Sequence, residues 1–352
     1  MVEALRLETR VGTSGWSYGP IDEFKSLSYI GKILNAVEVN TTFYGRVDRW
    51  KYVARGWARR VQEDFHFVLK AYSGITHGPG WSRRSRVTNP ISPLAVEFYN
   101  EMLEGCEILG SQAKALLFQF PASFRYTDKN VEKMKSFFTA IQRPQGLRLV
   151  IEFRSEEWFQ EGNIEDILNL MEDLDLVYAV ISSPITHLWP LACSKDGLAY
   201  VRIHGFAGWY TTDYLHTGSP LYKGLPAIFD VLVSAYQLER SKVIRTYLFW
   251  DNTDIIAEGI YAYPHIQHAL AFNFIWTGQK EYLRRLEELF TRVLCYHTGQ
   301  VNPNKKIKEV VQQEIDYVES MRKSWEELKS RLNESLDWYI GAQTKTQTQR
   351  RL

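Results

Sequence analysis

The sequence predicts an α/β protein, a (β/α)8 TIM-like barrel with a C-terminal helical extension. Three observations predict it. Short apolar runs alternate with stretches of helical periodicity, and eight such units fall within roughly 270 residues, the length of one barrel. Within most of the runs, polar residues share one parity and apolar residues the other, as in strands covered by helices outside and lined by a site inside. No G-x-G-x-x-G follows the first run, which removes the usual support for the rival, an open doubly wound sheet.

Each element has its own signal. Val11-Gly12-Thr13-Ser14-Gly15-Trp16 reads as a short strand opening into a glycine loop, and 24–34 as a short helix. Ala36-Val37-Glu38-Val39 alternates as a strand and ends in the polar turn Asn40-Thr41-Thr42-Phe43-Tyr44. Val47, Trp50, Val53, Trp57 and Val61 have helical spacing; the strand 65–71 follows, then a long loop over 72–92 broken by Gly78-Pro79-Gly80 and Asn89-Pro90. Loops of this length inside compact domains are often functional. A helix over 93–109 precedes the strand 115–120, which Pro121 stops. Thr127 or Asp128 caps the next helix, and Asn163 the helix after the strand 148–154. Strands at 176–181 and 199–204 come next. A second long loop, 205–221, carries three glycines, Trp209 and Tyr210. A helix over 223–240, a strand over 245–252 and a helix over 254–276 complete the pattern.

The predicted domains are a barrel over 1–278, a helical extension over 279–341 and a disordered tail over 342–352. In the extension, Val311, Ile315, Val318, Met321, Trp325, Leu328, Leu332 and Leu336 form a three-four stripe. That stripe either folds back on the barrel or joins a second copy of the chain. Gly299 to Asn304 breaks the extension into two helices, and the tail has almost nothing apolar.

With 45% hydrophobic and 24% charged residues the composition is that of a globular protein, and a net charge of +1 argues against a whole-chain polycation that coats nucleic acid or membrane. Cys106, Cys193 and Cys295 are far apart and make no C-x-x-C pair, so reduced thiols are expected. The N-terminus lacks the apolar run of a signal peptide and no stretch is long enough to span a bilayer. A cytoplasmic protein is expected.

The polar parity supplies the candidate site. Glu38 and Asn40, His66 and Lys70, Gln119, Glu152 and Arg154, and Arg202 and His204 all point to one side of their strands, and most sit toward the C-terminal ends, where barrels of this type carry active sites. Charge inside a barrel is costly unless paired, so the set is either a site or an ion-pair plug such as Glu152–Arg154 or Glu38–Lys70. The strand 176–181 offers only Ser182 and Ser183.

Several stretches in order resemble the YecE-like family, the proteins of domain of unknown function 72, over roughly residues 11–276. They are Gly12-Thr13-Ser14-Gly15-Trp16-Ser17-Tyr18, Val37-Glu38-Val39-Asn40-Thr41-Thr42-Phe43-Tyr44, Phe67-Val68-Leu69-Lys70-Ala71 and Ile75-Thr76-His77, followed by Phe118-Gln119-Phe120-Pro121, Ile151-Glu152-Phe153-Arg154 with Trp158, Tyr200-Val201-Arg202-Ile203-His204-Gly205 and Asp251-Asn252-Thr253. The resemblance implies a TIM-barrel-like fold and no established activity. Two departures stand out. The family usually has an Asp before a Pro at the end of the sixth strand, where this chain has Ser182-Ser183-Pro184, and Asn-Asn where it has Asp251-Asn252.

The expected chemistry follows from these residue types. Glu38, Glu152 and His204 are the candidate catalytic residues; Asn40, Tyr44, Lys70, His77, Gln119, Arg154, Trp158, Arg202 and Asn252 are candidates for substrate binding. Arginine suits carboxylate and phosphate, so an anionic substrate, phosphorylated or nucleic acid, is the first expectation. A divalent metal held by the carboxylates and His77 or His204 would suit hydrolysis or isomerisation. Two alternatives stand beside it. One is a non-catalytic barrel that binds a ligand or nucleic acid and assembles through its C-terminal helices. The other is a glycoside hydrolase using Glu38 and Glu152 as acid and base, with Trp16, Tyr44, Trp158 and Trp209 as stacking surfaces.

Overall fold

The barrel strands are β1 (Glu8–Ser14), β2 (Ala36–Val39), β3 (His66–Lys70), β4 (Ala113–Gln119), β5 (Arg148–Glu152), β6 (Val177–Ser183), β8 (Leu198–Ile203) and β9 (Arg245–Trp250), with β7 (Thr186–His187) a two-residue stub antiparallel to the end of β6. They pair in the order β5-β4-β3-β2-β1-β9-β8-β6-β7, and a β5–β6 pairing closes the ring. The structure is a computed structural model that describes residues 8–349 apart from 18, 46, 83, 85, 86, 206–226, 242, 252–259, 261 and 262. The closed eight-stranded parallel barrel with helices between its strands agrees with the expected fold class.

The helices are α1 (Leu27–Ile33), the short turn α2 (Thr41–Tyr44), α3 (Val47–Ala58), the short turn α4 (Ser73–Thr76), α5 (Ala95–Leu109), α6 (Asp128–Ala140), α7 (Glu161–Asp173), α8 (Ala227–Glu239), α9 (Pro264–Thr277), α10 (Lys280–Thr298) and α11 (Lys305–Gln349). Of the two candidate caps for α6, Thr127 does the work, its side chain accepting from the Asn130 N–H. Asn163 does not cap α7. That helix begins two residues earlier, after Gln160, and the Asn163 amide donates to the Glu157 carbonyl at 3.1 Å.

Register fixes which side chains line the interior. Ser14 lies beside Glu38, Lys70 beside Leu117, Gln119 beside Glu152, Ile181 beside Arg202 and Arg202 beside Phe249. The opposite parity, including Val37, Val39, Phe67, Leu69, Phe118, Ile151 and Ile203, is buried under the helices. Aromatic rings fill the middle of the barrel: Tyr247 and Phe249 stack with planes 5° apart, and Tyr200 lies 5.4 Å from Phe249. Gly12 makes room for them, because a Cβ there would lie 2.3 Å from the Ala36 carbonyl oxygen and 2.8 Å from the Phe249 ring. Toward the N-terminal end, the Tyr247 hydroxyl meets His66 Nδ1 at 2.7 Å, so His66 belongs to the barrel floor.

The extension packs on the chain's own barrel. Val311, Ile315, Val318, Met321 and Trp325 are buried. Trp325 stacks at 5.9 Å on Trp276 of α9 and meets Tyr236 of α8 edge-on. Arg322 Nη1 donates to the last-turn carbonyls of α9, at 3.2 Å to Phe274 and 2.6 Å to Ile275. The break at Gly299 is a left-handed cap with φ 66°. The backbone of α11 continues to Gln349, through most of the stretch whose composition predicts a disordered tail; no glycine or proline interrupts it beyond Gly341. Among the described residues no helix is long and apolar enough to cross a membrane.

Candidate functional site

The C-terminal mouth of the barrel is organised around Arg202, which is fully buried. Its guanidinium grips Glu38 with two nitrogens, Nε to Oε2 at 2.8 Å and Nη2 to Oε1 at 2.6 Å. Nη1 donates to Glu152 and, at 3.0 Å, to His204 Nε2. Nη2 also reaches Asp251 Oδ2 at 2.9 Å. The remaining capacity of Glu38 is taken by the Tyr200 hydroxyl at 2.7 Å and the Ser14 hydroxyl at 3.0 Å. Glu152 additionally accepts from Arg154 Nε at 3.0 Å, and Arg154 Nη2 donates to Gln119 Oε1 at 2.9 Å. His204 Nδ1 lies 2.9 Å from Asp251 Oδ2.

This network decides protonation states. Burial pushes the Glu152 carboxyl up, but Arg202, His204 and Arg154 outweigh it and hold it well below the ordinary glutamate value. Asp251 is held down in the same way, burial opposed by Arg202 and His204. Glu152 is therefore ionised at neutral pH. Of the two expected ion pairs, Glu152–Arg154 is present, whereas Glu38 makes its direct ion pair with Arg202 rather than with Lys70.

Lys70 ends β3 one inward position beyond Val68 and is only 7% exposed. Its ammonium sits 4.5 Å from the centre of the Phe43 ring and has no ion pair or hydrogen bond among the described residues. Burial, with repulsion from Arg202 and Arg154, lowers its pKa to about 8. Phe43 comes from α2, and Thr42 anchors that turn by donating to the carbonyls of Val39 at 2.8 Å and Lys70 at 2.6 Å. His77 and Trp81 pack on that ring in turn, each edge-on to Phe43 at 5.0 and 5.2 Å. The His77 ring contacts the Thr76 hydroxyl through Nδ1 at 2.9 Å; burial, with Lys70 second, lowers its pKa to about 3, so it is neutral. Tyr44 is half exposed beside Trp81, at the rim.

The structure thus brings together Glu38, Glu152, His204, Arg202, Arg154 and Gln119 as one network, with Lys70, His77 and Tyr44 beside Phe43. Asn40 follows β2, and its buried Oδ1 has no hydrogen-bond partner among the described residues. Trp158 does not join them. Its ring is fully buried, 3.7 Å from and parallel to Phe153, and its indole N–H donates to the Phe124 carbonyl at 2.7 Å, which makes it core packing rather than a stacking surface. Asn252, Trp209 and Tyr210 lie outside the described residues, as does nearly all of the 205–221 loop. Ser14, Tyr200, Asp251, Phe43 and Trp81 take part without having been singled out as site residues. Parity alone marks Ser14 and Tyr200, and Trp81 lies in the long loop already marked as functional.

The donor set does not fit a divalent metal. Glu38, Glu152, Asp251 and His204 all face the Arg202 guanidinium, which occupies the position a cation would need. Among the described residues no group of three His, Cys, Asp or Glu side chains is arranged to hold an ion.

Similarity to known proteins agrees with this architecture. The family model described as "Protein of unknown function DUF72" matches residues 10–282. A solved structure of a DUF72 family protein from Enterococcus faecalis V583 is 21% identical, with a TM-score of 0.60 over 77% of this chain and 98% of that one. Another, from Thermotoga maritima MSB8, is 22% identical, with a TM-score of 0.55 over 76% of this chain and 99% of that one. No curated protein matches the chain. With the family model covering the whole barrel, the chain belongs to the DUF72 family.

Proposed function

We propose that the protein is an enzyme that binds a small anionic substrate at the C-terminal mouth of its barrel, with Lys70 as the group that meets the negative charge. One observation carries this reading: a nearly buried ammonium beside the Phe43 ring forms no salt bridge or hydrogen bond among the described residues, and the pull of Asp251 and Glu38 does not offset its burial. Such a charge costs several kcal/mol unless a partner is supplied, and an anionic ligand is the natural partner. The Arg202 cluster serves as a rigid floor that orients Arg154 through Glu152 and Gln119. Metal-assisted hydrolysis and a Glu38/Glu152 acid–base pair are both disfavoured, because Arg202 claims the same carboxylates that either mechanism needs.

Thermal-shift measurements with inorganic phosphate, pyruvate and a panel of sugar phosphates test the reading. At least one anion is expected to stabilise the native protein and to lose that effect in Lys70→Met. Equal stabilisation of both proteins would remove Lys70 from the site.

A further inference from the structure

Resting on the reading of the mouth as an anion site, we propose that Lys70 is also a nucleophile that forms an imine with a small carbonyl compound carrying a carboxylate or phosphate. The geometry separates Lys70 from the other cations around it. Arg202 is clamped by three carboxylates, and Arg154 is bonded to Glu152 and Gln119. Among the described residues Lys70 Nζ forms no such bond, and it lies beside the Phe43 ring and near the neutral His77. An amine kept without an acceptor and away from bulk water is poised for attack on carbon rather than for a structural ion pair.

The step balances without an oxidant or reductant. The lone pair of the free amine forms the C–N bond, while the carbonyl π pair moves to oxygen. The carbinolamine then loses that oxygen as water, which carries away both amine protons, and C=N remains. Arg154, 16% exposed and held in place from behind, lies on the same mouth and suits the substrate's anionic group. A pKa of about 8 leaves roughly a tenth of Lys70 as free amine at pH 7, against well under a thousandth of an ordinary lysine.

Borohydride trapping on the full chain tests the step. Pyruvate, glyoxylate and dihydroxyacetone phosphate are each added with borohydride, and modified peptides are mapped by mass spectrometry. A reduced adduct confined to Lys70 and absent from Lys70→Arg is expected, with the anion-dependent thermal shift of the native chain measured beside it. As a ligand-independent measure, formaldehyde with cyanoborohydride at pH 7 is expected to methylate Lys70 faster than the other lysines. A thermal shift with no adduct at Lys70 and no preferential methylation overturns the imine step and leaves the anion site standing. Preferential methylation with no adduct from any of the three probes overturns the proposed substrate class. Loss of both shift and adduct removes the anion site as well.

Discussion

Lys70 is a residue of the mouth that burial makes expensive to charge and that is still largely charged at neutral pH, and this has a measurable pH signature. Its pKa is lowered from 10.5 to about 8, so between those values the unfolded chain binds more protons than the folded one and stability rises with pH. Below pH 8 the folded protein carries the full penalty, up to about 3 kcal/mol from the size of the shift. Lys70→Met is therefore expected to be more stable than the native protein at pH 7, by on the order of 1–3 kcal/mol in urea denaturation. The gain should shrink between pH 8 and 10.5; a gain that stays constant across that window would mean the ammonium is not desolvated. Parity in the sequence reveals that Glu38, Lys70, Glu152 and Arg202 face inward, because alternation assigns faces directly. It does not reveal who pairs with whom. The Glu38–Lys70 pairing fails because Arg202, reaching in from β8, offers Glu38 two nitrogens at once and so outcompetes a single ammionium charge on the adjacent strand. Trp158 misleads for a related reason: an aromatic near a strand end looks the same in sequence whether it lines a mouth or packs a corner.

At the level of elements, the two departures from the family pattern fall at the ends of the strands that flank β8. The family's usual Asp before Pro falls at Ser183, which shares the inward face of β6 with Ile181 and is tied into the turn before β7, accepting from the Ile185 and Thr186 amides at 3.4 Å. Asp251 follows β9. Strands β6 and β9 flank β8, the strand that carries Arg202. The two departures thus fall on either side of Arg202: a hydroxyl at Ser183 and a carboxylate at Asp251, which Arg202 contacts at 2.9 Å. Asp251→Asn is expected to cost about 1–3 kcal/mol by weakening a buried charged hydrogen bond, and adding Ser183→Asp should recover part of it. A double variant no more stable than Asp251→Asn alone would show that the two positions do not exchange. The strands themselves are legible because each couples a β-branched or aromatic run to alternation. The stub β7 and the turn α4 are not, since two to four residues hold no period to read; α2 is legible as a polar turn but not as the element that sets the Phe43 ring beside Lys70.

For the molecule as a whole, the C-terminal extension is part of the packing. Trp325 joins α11 to both α8 and α9, so Trp325→Ala should destabilise the full chain by about 3–5 kcal/mol, measured by chemical denaturation. A change below about 1 kcal/mol would mean that α11 is only loosely attached. The periodic stripe in the sequence shows that this helix buries one face; only the contacts to Trp276 and Tyr236 show against what. The seam between β1 and β9 has a further consequence, one of timing. It joins Glu8 to Arg245, 237 positions apart, so the earliest barrel strand made waits for the last. Until then a growing chain presents an unfinished sheet with two raw borders, open to pairing with other nascent chains. Such a protein owes its yield in the cell to how quickly the stretch from β1 to β9 is translated and to whatever shields the first strands meanwhile.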